Sequence, residues 1–409
     1  MKKLKTNAIA IFNSNDEFPR SGDQNFLFKQ NADLFYLSGI DQEQSILLLY
    51  PECPNPLYRE VLFLRQTNEF IKVWEGHKYT KEQARQTSGI QTVYWLEDFD
   101  NIFHSIINYA EHIYLNLNEN DRYAHTVSYR DLRFVNQIQE KYPLHHYERS
   151  APLLRNLRAI KSEIEVELTQ KACDITKDAF NRVLKFVKPG ISEYEIEAEI
   201  IHEFIKQRAT GHGYTPIIAS GNNANILHYN DNNQICNDGD LILMDFGAEY
   251  ANYNADLTRT IPVNGKFSPR QKDVYNAVLN VLNEAKKLMV AGAIWNTYHE
   301  QVGEIMTEEL INLKLITSDD VKNQNPNFPA YKKYFMHGTS HHLGIDVHDF
   351  AGRYTPFAEG NILTCEPGIY IPEEGFGVRL ENDILITKNG NIDLMSEIPI
   401  IADEIEELM

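Results

Sequence analysis

The stretch His337-Gly338-Thr339-Ser340-His341-His342-Leu343-Gly344-Ile345-Asp346-Val347-His348-Asp349 decides how this chain is read. Four of its fourteen histidines fall within these few residues. Imidazole ligates metals and exchanges protons near neutral pH. One histidine alone is more often structural, but a cluster flanked by glycines reverses that reading. Acidic residues stand on both sides of it. Upstream, Leu241-Ile242-Leu243-Met244 runs into Asp245, and Asp256 follows in Asn254-Ala255-Asp256-Leu257-Thr258. A carboxylate at the end of an apolar strand is desolvated unless it is paired. Two strands joined by a hairpin would set these two side by side. Downstream, Glu366 precedes the Pro367-Gly368 turn, and Arg379 stands two residues before Glu381, which predicts one strand face for both.

Each residue taken singly has a plain structural reading: a turn cap for either aspartate, a salt bridge for Arg379 and Glu381. Taken together, Asp245, Asp256, His341, Glu366 and Glu381 form a ligand set. Four ionised carboxylates gathered in one place need cations. Two divalent ions that prefer hard oxygen donors would cancel the charge and activate a water held between them.

The rest of the chain frames that site. Its 409 residues predict two domains. The first, 1–155, alternates short apolar runs with polar helical stretches, an α/β pattern. Strands are predicted at Ala8–Phe12, Leu34–Leu37, Ile46–Tyr50, Val61–Leu64, Val93–Leu96 and Ile113–Leu117, and helices at Thr80–Gln86 and Val127–Lys141. Tyr142 to Arg158 shows no period and reads as the link. The second domain, 156–409, opens with two capping boxes, Ser162 with Glu165 and Ser192 with Glu195. The first helix is expected to place Ile164, Leu168, Ile175 and Ala179 on its buried face. Strands Leu241–Phe246 and Thr258–Val263 follow. Ser268-Pro269 with Gln271 then starts a helix to about Val290, and another covers Asn296–Leu313. Strands come next around Ile362–Thr364 and Val378–Thr387. Two helices followed by strands thus occur twice, which points to a duplicated architecture with a cleft at a pseudo-twofold axis.

Composition excludes several classes. Asp+Glu is 58 against Lys+Arg 39, a formal charge of −19, which argues against nucleic acid and anionic membranes. The longest apolar run, near Ile46–Tyr50, is far too short to span a bilayer. The N-terminus makes a poor signal peptide, and Cys53, Cys173, Cys236 and Cys365 are scattered without a C-x-x-C pair. A cytoplasmic, reducing location is expected. Cys365 reads as a small buried apolar residue.

Over roughly 160–395 the motifs H-G-T-S-H-H-L-G-I-D-V-H-D, C-E-P-G-I-Y and G-V-R-L-E-N-D resemble the pita-bread metallopeptidase family, and within it Xaa-Pro aminopeptidase (aminopeptidase P). Phe28-Lys29-Gln30-Asn31-Ala32-Asp33-Leu34-Phe35-Tyr36-Leu37-Ser38-Gly39 is similar to the N-terminal domain of aminopeptidase P. The resemblance implies a pseudo-twofold pita-bread catalytic domain after the N-terminal α/β domain. It implies that Asp245 ligates one metal, that Asp256 and Glu381 bridge both, and that His341 and Glu366 ligate the other. His228 would face the substrate, His348 would contact the scissile carbonyl or the proline side, and His337 would line the proline pocket. Arg379 would hold a carboxylate, and His342 receives no role. The implied reaction is hydrolysis of the Xaa-Pro bond at a peptide N-terminus by a metal-bridging hydroxide, with Glu366 as proton shuttle. Manganese is favoured over zinc or cobalt, and a homodimer or homotetramer is implied. Trp74 is either a packing residue or an oligomer contact. Prolidase, restricted to Xaa-Pro dipeptides, is the alternative. Creatinases lack this ligand set, and a non-catalytic relative would have lost part of it.

Overall fold

The computed structural model describes residues 2–122, 126–349, 351–352 and 354–409. It divides into two compact units, Met1–Leu157 and Arg158–Met409.

The first unit is built on six strands: β1 (Ala8–Asn13), β2 (Ile46–Leu49), β3 (Glu60–Leu64), β4 (Thr92–Trp95), β5 (His112–Leu115) and β6 (His146–Arg149). Their order across the sheet is β4-β3-β2-β1-β5-β6. The pairs β1–β2 and β2–β3 are antiparallel, while β1–β5, β3–β4 and β5–β6 are parallel. β1 is buried along its whole length, as a central strand covered on both faces must be. Its odd-numbered isoleucines join one core cluster and its even-numbered residues another.

Two expectations fail in this unit. Leu34–Leu37 is not a strand but lies in helix α1 (Ala32–Ser38). Asn31 caps it by accepting from the Asp33 and Leu34 N–H groups, and Gly39 ends it in the left-handed region at φ 67°. Those caps outweigh the strand propensity of the apolar run Leu34-Phe35-Tyr36-Leu37. Nor is Tyr142–Arg158 the link between the halves: it contains β6 and a helix at Ala151–Arg158, and the first unit runs to Leu157.

In the second unit, helices α2 (Glu163–Leu184) and α3 (Glu193–Lys206) both open with the expected capping boxes. The buried face of α2 is Thr169, Ala172, Cys173, Thr176, Phe180 and Val183, alongside Ile175 and Ala179. Ile164 is exposed instead, because the buried face of α2 runs through Glu165, Thr169, Ala172 and Thr176 and leaves position 164 beside it. Glu165 turns inward there, accepting from the Ser162 backbone at 2.8 Å and from the Tyr253 hydroxyl at 3.1 Å.

Strands β7 (Ile217–Ser220), β8 (Leu241–Phe246), β9 (Ala248–Tyr250), β10 (Tyr253–Asn254) and β11 (Leu257–Pro262) follow. β8 runs antiparallel between β7 and β11. Helices α4 (Pro269–Leu288) and α5 (Trp295–Asn312) precede the second set of strands. These are β12 (Ile362–Cys365), β13 (Gly368–Ile371), β14 (Phe376–Arg379), β15 (Asn382–Thr387) and β16 (Gly390–Asp393). β15 lies between β12 and β16, and β13 pairs with β14. The expected strand Val378–Thr387 is therefore two strands, broken at Leu380-Glu381. The bridge from Thr258 to Glu381 ties the two strand sets together, with Thr260 and Arg379 hydrogen-bonded beside it. The large core of this unit is shared by residues from both halves.

Candidate metal centre

The register of β8 and β11 builds the centre. Met244 and Phe246 face the large core, while Leu243 on the other face packs with Ile217 and Ala219. Asp245 falls on the Leu243 face by simple alternation. It pairs across the sheet with Thr258, and Thr258 bridges in turn to Glu381, whose N–H donates to the Thr258 carbonyl at 3.1 Å. Asp245, Thr258 and Glu381 thus line one row, with Asp256 just ahead of β11.

Several side chains lock this row. The Tyr214 hydroxyl lies 2.6 Å from Asp245 Oδ1 and also bonds Asp256 Oδ1. The Thr258 hydroxyl donates to Glu381 Oε2 at 2.6 Å. Arg379 does not pair with Glu381, because the break after β14 turns Glu381 out of the strand. Its Nη2 lies 2.5 Å from Asp245 Oδ2 and its Nε donates to the Thr258 hydroxyl. Asp383 accepts the Asp256 N–H at 3.0 Å and the Cys173 thiol at 3.4 Å.

His341 enters from the other side. Its Nδ1 lies 3.0 Å from the His342 carbonyl, which fixes the proton there and aims Nε2 at the carboxylates. Nε2 is 3.3 Å from Asp256 Oδ2 and 3.8 Å from Glu366 Oε1. Glu366 is placed by its own N–H, which donates to the Thr339 carbonyl at 2.8 Å. Ligand atoms of Asp256, His341 and Glu381 lie within 4.8 Å of one another, and all three residues are buried.

This crowding has an electrostatic consequence. Burial, then the nearby Asp256, Glu366 and Asp245, push the Glu381 carboxyl well above its ordinary range. Burial raises Glu366 to about 7 despite His341 and Arg379. Burial and the flanking aspartates likewise hold the Tyr214 phenol protonated. Carboxylates and an imidazole lone pair converging in a desolvated place form a donor set for hard divalent cations. The residues present fit that group.

Two further histidines stand against the ligands, His348 beside His341 and His337 with Nδ1 3.7 Å from Glu366 Oε2. The His348 ring packs edge-on against His341 with centroids 4.5 Å apart. Its neighbour Asp349 is anchored by Arg158 at 2.5 Å and Lys161 at 2.8 Å. His337 sits in a defined chain: Arg379 Nη1 donates to the Tyr370 oxygen at 2.9 Å, and that hydroxyl faces His337 Nε2 at 2.8 Å. His337 Nδ1 then meets the Gly338 carbonyl at 2.8 Å. Burial, with Arg379 nearby, drops His337 to about 3, so the ring is neutral with its proton on Nδ1. His342 stacks on Trp295 at 5.6 Å, and burial pushes it down to about 3. His228 is exposed, on a turn after Gly221–Asn225.

The structure therefore gathers Asp245, Asp256, His341, Glu366 and Glu381, with Arg379, His337 and His348 against them. Sequence reasoning missed Tyr214, Thr258, Tyr370 and Asp383. Tyr370 and Asp383 stood inside quoted motifs, and Tyr214 carried no local signal.

Residues 167–388 match the model of metallopeptidase family M24, and residues 1–114 match the aminopeptidase P N-terminal domain. The chain belongs to metallopeptidase family M24. It is 33% identical to Xaa-Pro aminopeptidase of Haemophilus influenzae, covering 100% of this chain and 94% of that one. It is 32% identical to the Escherichia coli Xaa-Pro aminopeptidase, covering 100% and 95%. Among solved structures, aminopeptidase PepP of Pseudomonas aeruginosa aligns at a TM-score of 0.90 and 32% identity, covering 100% and 95%. A zinc-substituted E. coli aminopeptidase P in complex with product aligns at 0.89 and 30%, with the same coverage. The M24 unit thus has the pita-bread fold of these neighbours. Among the described residues no helix is long and apolar enough to cross a membrane.

Proposed function

We propose that this M24 metallopeptidase hydrolyses the bond between an N-terminal residue and a following proline. The observation that carries the reading is the desolvated convergence of Asp256, His341 and Glu381, with Asp245 and Glu366 beside them. The names of the relatives supply the substrate class, and those reported above are aminopeptidases rather than dipeptidases. Proline has no N–H, so a peptidase that needs a donor at that position fails on it. A shaped pocket can select the ring instead.

Asp245, Asp256, His341, Glu366 and Glu381 would hold two divalent cations, which supply Lewis acidity to a carbonyl and to water. The oxygen-rich set favours manganese, with zinc and cobalt as competitors. Glu366, 3.8 Å from His341 Nε2, would take a proton from water and deliver it to the departing proline nitrogen. His348 would contact the scissile carbonyl or the proline side, and His228 would face the substrate. Neutral His337 offers an uncharged wall to the proline ring. Arg379 keeps Asp245 in place and remains charged. The free and buried cysteines suit a cytoplasmic enzyme, and the exposed Phe70 and Trp74 suit a homodimer or homotetramer.

The test is a panel of Xaa-Pro, Xaa-Pro-Yaa and Xaa-Ala-Yaa peptides offered to protein stripped by chelation and then given Mn²⁺. Cleavage of Xaa-Pro-Yaa after the first residue, only with metal, is expected. Cleavage confined to Xaa-Pro would favour the dipeptidase. Full activity in stripped protein would overturn the metal reading.

A further inference from the structure

His228 is exposed and has no hydrogen-bond partner among the described residues. A side chain of that kind is placed only by the backbone that carries it. Its neighbour Tyr229 is buried, with its ring among Ile217, Ala219, Ala224, Leu243 and Tyr370. The Tyr229 hydroxyl donates to Glu193 Oε2 at 2.8 Å.

Glu193 is itself unusual. It is fully buried in the first turn of α3, where the helix dipole favours a negative charge. Its Oε2 also accepts the Gln234 N–H at 2.9 Å. Its Oε1 accepts the Ser220 N–H at 2.8 Å and the Asn223 amide at 3.0 Å. Four donors, at 220, 223, 229 and 234, thus close on one carboxylate from both ends of the segment that carries His228. Burial and the carboxylate push the Tyr229 phenol up to about 12, so it stays a donor. A second tie reinforces the first. Asn232 accepts the Ile218 N–H and donates to Glu197 of the same helix.

We infer that Glu193 is a positioning residue for His228: through Tyr229 and the backbone of 220–234 it fixes where that imidazole stands. The inference rests on the reading above in which His228 meets the substrate. A carboxylate is needed because every partner is a donor. An amide would turn its own N–H₂ toward two of them.

The experiment has two arms on the full-length enzyme, a structural one with diamagnetic Zn²⁺ bound, because Mn²⁺ would broaden nearby imidazole signals away, and a kinetic one with Mn²⁺. Ring signals of ¹³C-labelled histidines are recorded for the wild type, Glu193→Gln and Tyr229→Phe, with His228→Ala identifying the His228 signal. Tyr229→Phe removes one oxygen only and serves if Glu193→Gln does not fold. The His228 signal is expected to shift or broaden in either variant, with bound metal unchanged. In kinetics, Tyr229→Phe should lower kcat/KM on Xaa-Pro-Yaa about tenfold. It should cost less than twofold in the His228→Ala background, because a residue acting through His228 has nothing left to place. An unmoved His228 signal overturns the inference. So does an equal loss in both backgrounds when His228→Ala is itself impaired. A His228→Ala enzyme of full activity would instead remove His228 from the substrate reading, while the NMR arm still decides the positioning.

Discussion

At the scale of single residues, the centre is a place where acidic side chains are held closer than their charges allow. Glu381 and Glu366 are both raised, first by burial and then by neighbouring carboxylates. The sign of the linkage follows. A carboxyl whose folded pKa is raised adds stability below its unfolded pKa and loses it as pH climbs through the folded one. Buried His337 and His342, held neutral, add stability as pH rises to about 6.5 and oppose this trend below it. Metal-free protein should therefore lose melting temperature between about pH 6.5 and pH 8, and divalent metal should restore more at pH 8 than at about pH 6.5. Scanning calorimetry with and without Mn²⁺ checks this, and a metal-induced gain that shrinks with rising pH would contradict the assignment of these carboxylates. Glu366 also bears a kinetic prediction. Glu366→Gln keeps the shape but cannot carry the proton, so kcat should fall at least about a hundredfold. Near-normal turnover in that variant would remove the shuttle. These residues were legible because carboxylates in apolar surroundings stand out along the chain. Tyr214 was not, because nothing near position 214 shows that its hydroxyl ends between Asp245 and Asp256.

At the scale of elements, strand register turns a sequence pattern into a site. The β9–β10 hairpin lies between Asp245 and Asp256, and its base is so tight that only Gly247 fits. A Cβ there would stand 1.7 Å from the Ala255 carbonyl oxygen and 2.5 Å from its carbon. Backbone cannot step aside as a flexible side chain would. Gly247→Ala should thus cost at least about 2 kcal/mol and weaken metal uptake with it, since Asp256 follows Ala255 directly. Denaturant midpoints and bound metal after dialysis would measure both, and a stable variant with full metal content would refute the argument. The capping boxes at Ser162, Ser192 and Ser268 were readable because they are local, three residues from cap to partner. Leu34–Leu37 was misread because its apolar run looks extended while Asn31 and Gly39, just outside it, dictate a helix. Ile164 was misread because the buried face of the first turn is taken by a polar residue, Glu165, which apolar periodicity does not mark. The break at Leu380-Glu381 was hidden for a third reason. Its cause is the bridge from Glu381 to Thr258, more than a hundred residues away.

At the scale of the whole molecule, the division into Met1–Leu157 and Arg158–Met409 has a thermodynamic consequence. Each unit owns its core: two apolar clusters lie within the first, and the large cluster with its small satellite lies within the second. All five candidate ligands belong to the second. A cation that binds the folded form stabilises what must open for its ligands to be lost, by RT ln(1 + [L]/Kd), or about 2.7 kcal/mol at a hundredfold excess over Kd. Openings of the first unit leave those ligands in place, so they gain nothing from the metal. Hydrogen exchange read peptide by peptide should then show Mn²⁺ slowing β8, β11 and β15 by up to about a hundredfold, the exchange equivalent of that free energy. The strands Ala8–Asn13 and His112–Leu115 should exchange at the same rate with and without it. If protection rose equally in both units, opening would be a single global event, and the two separate cores would not be separate folding units. If it rose in neither, the carboxylate cluster would not be where the metal binds.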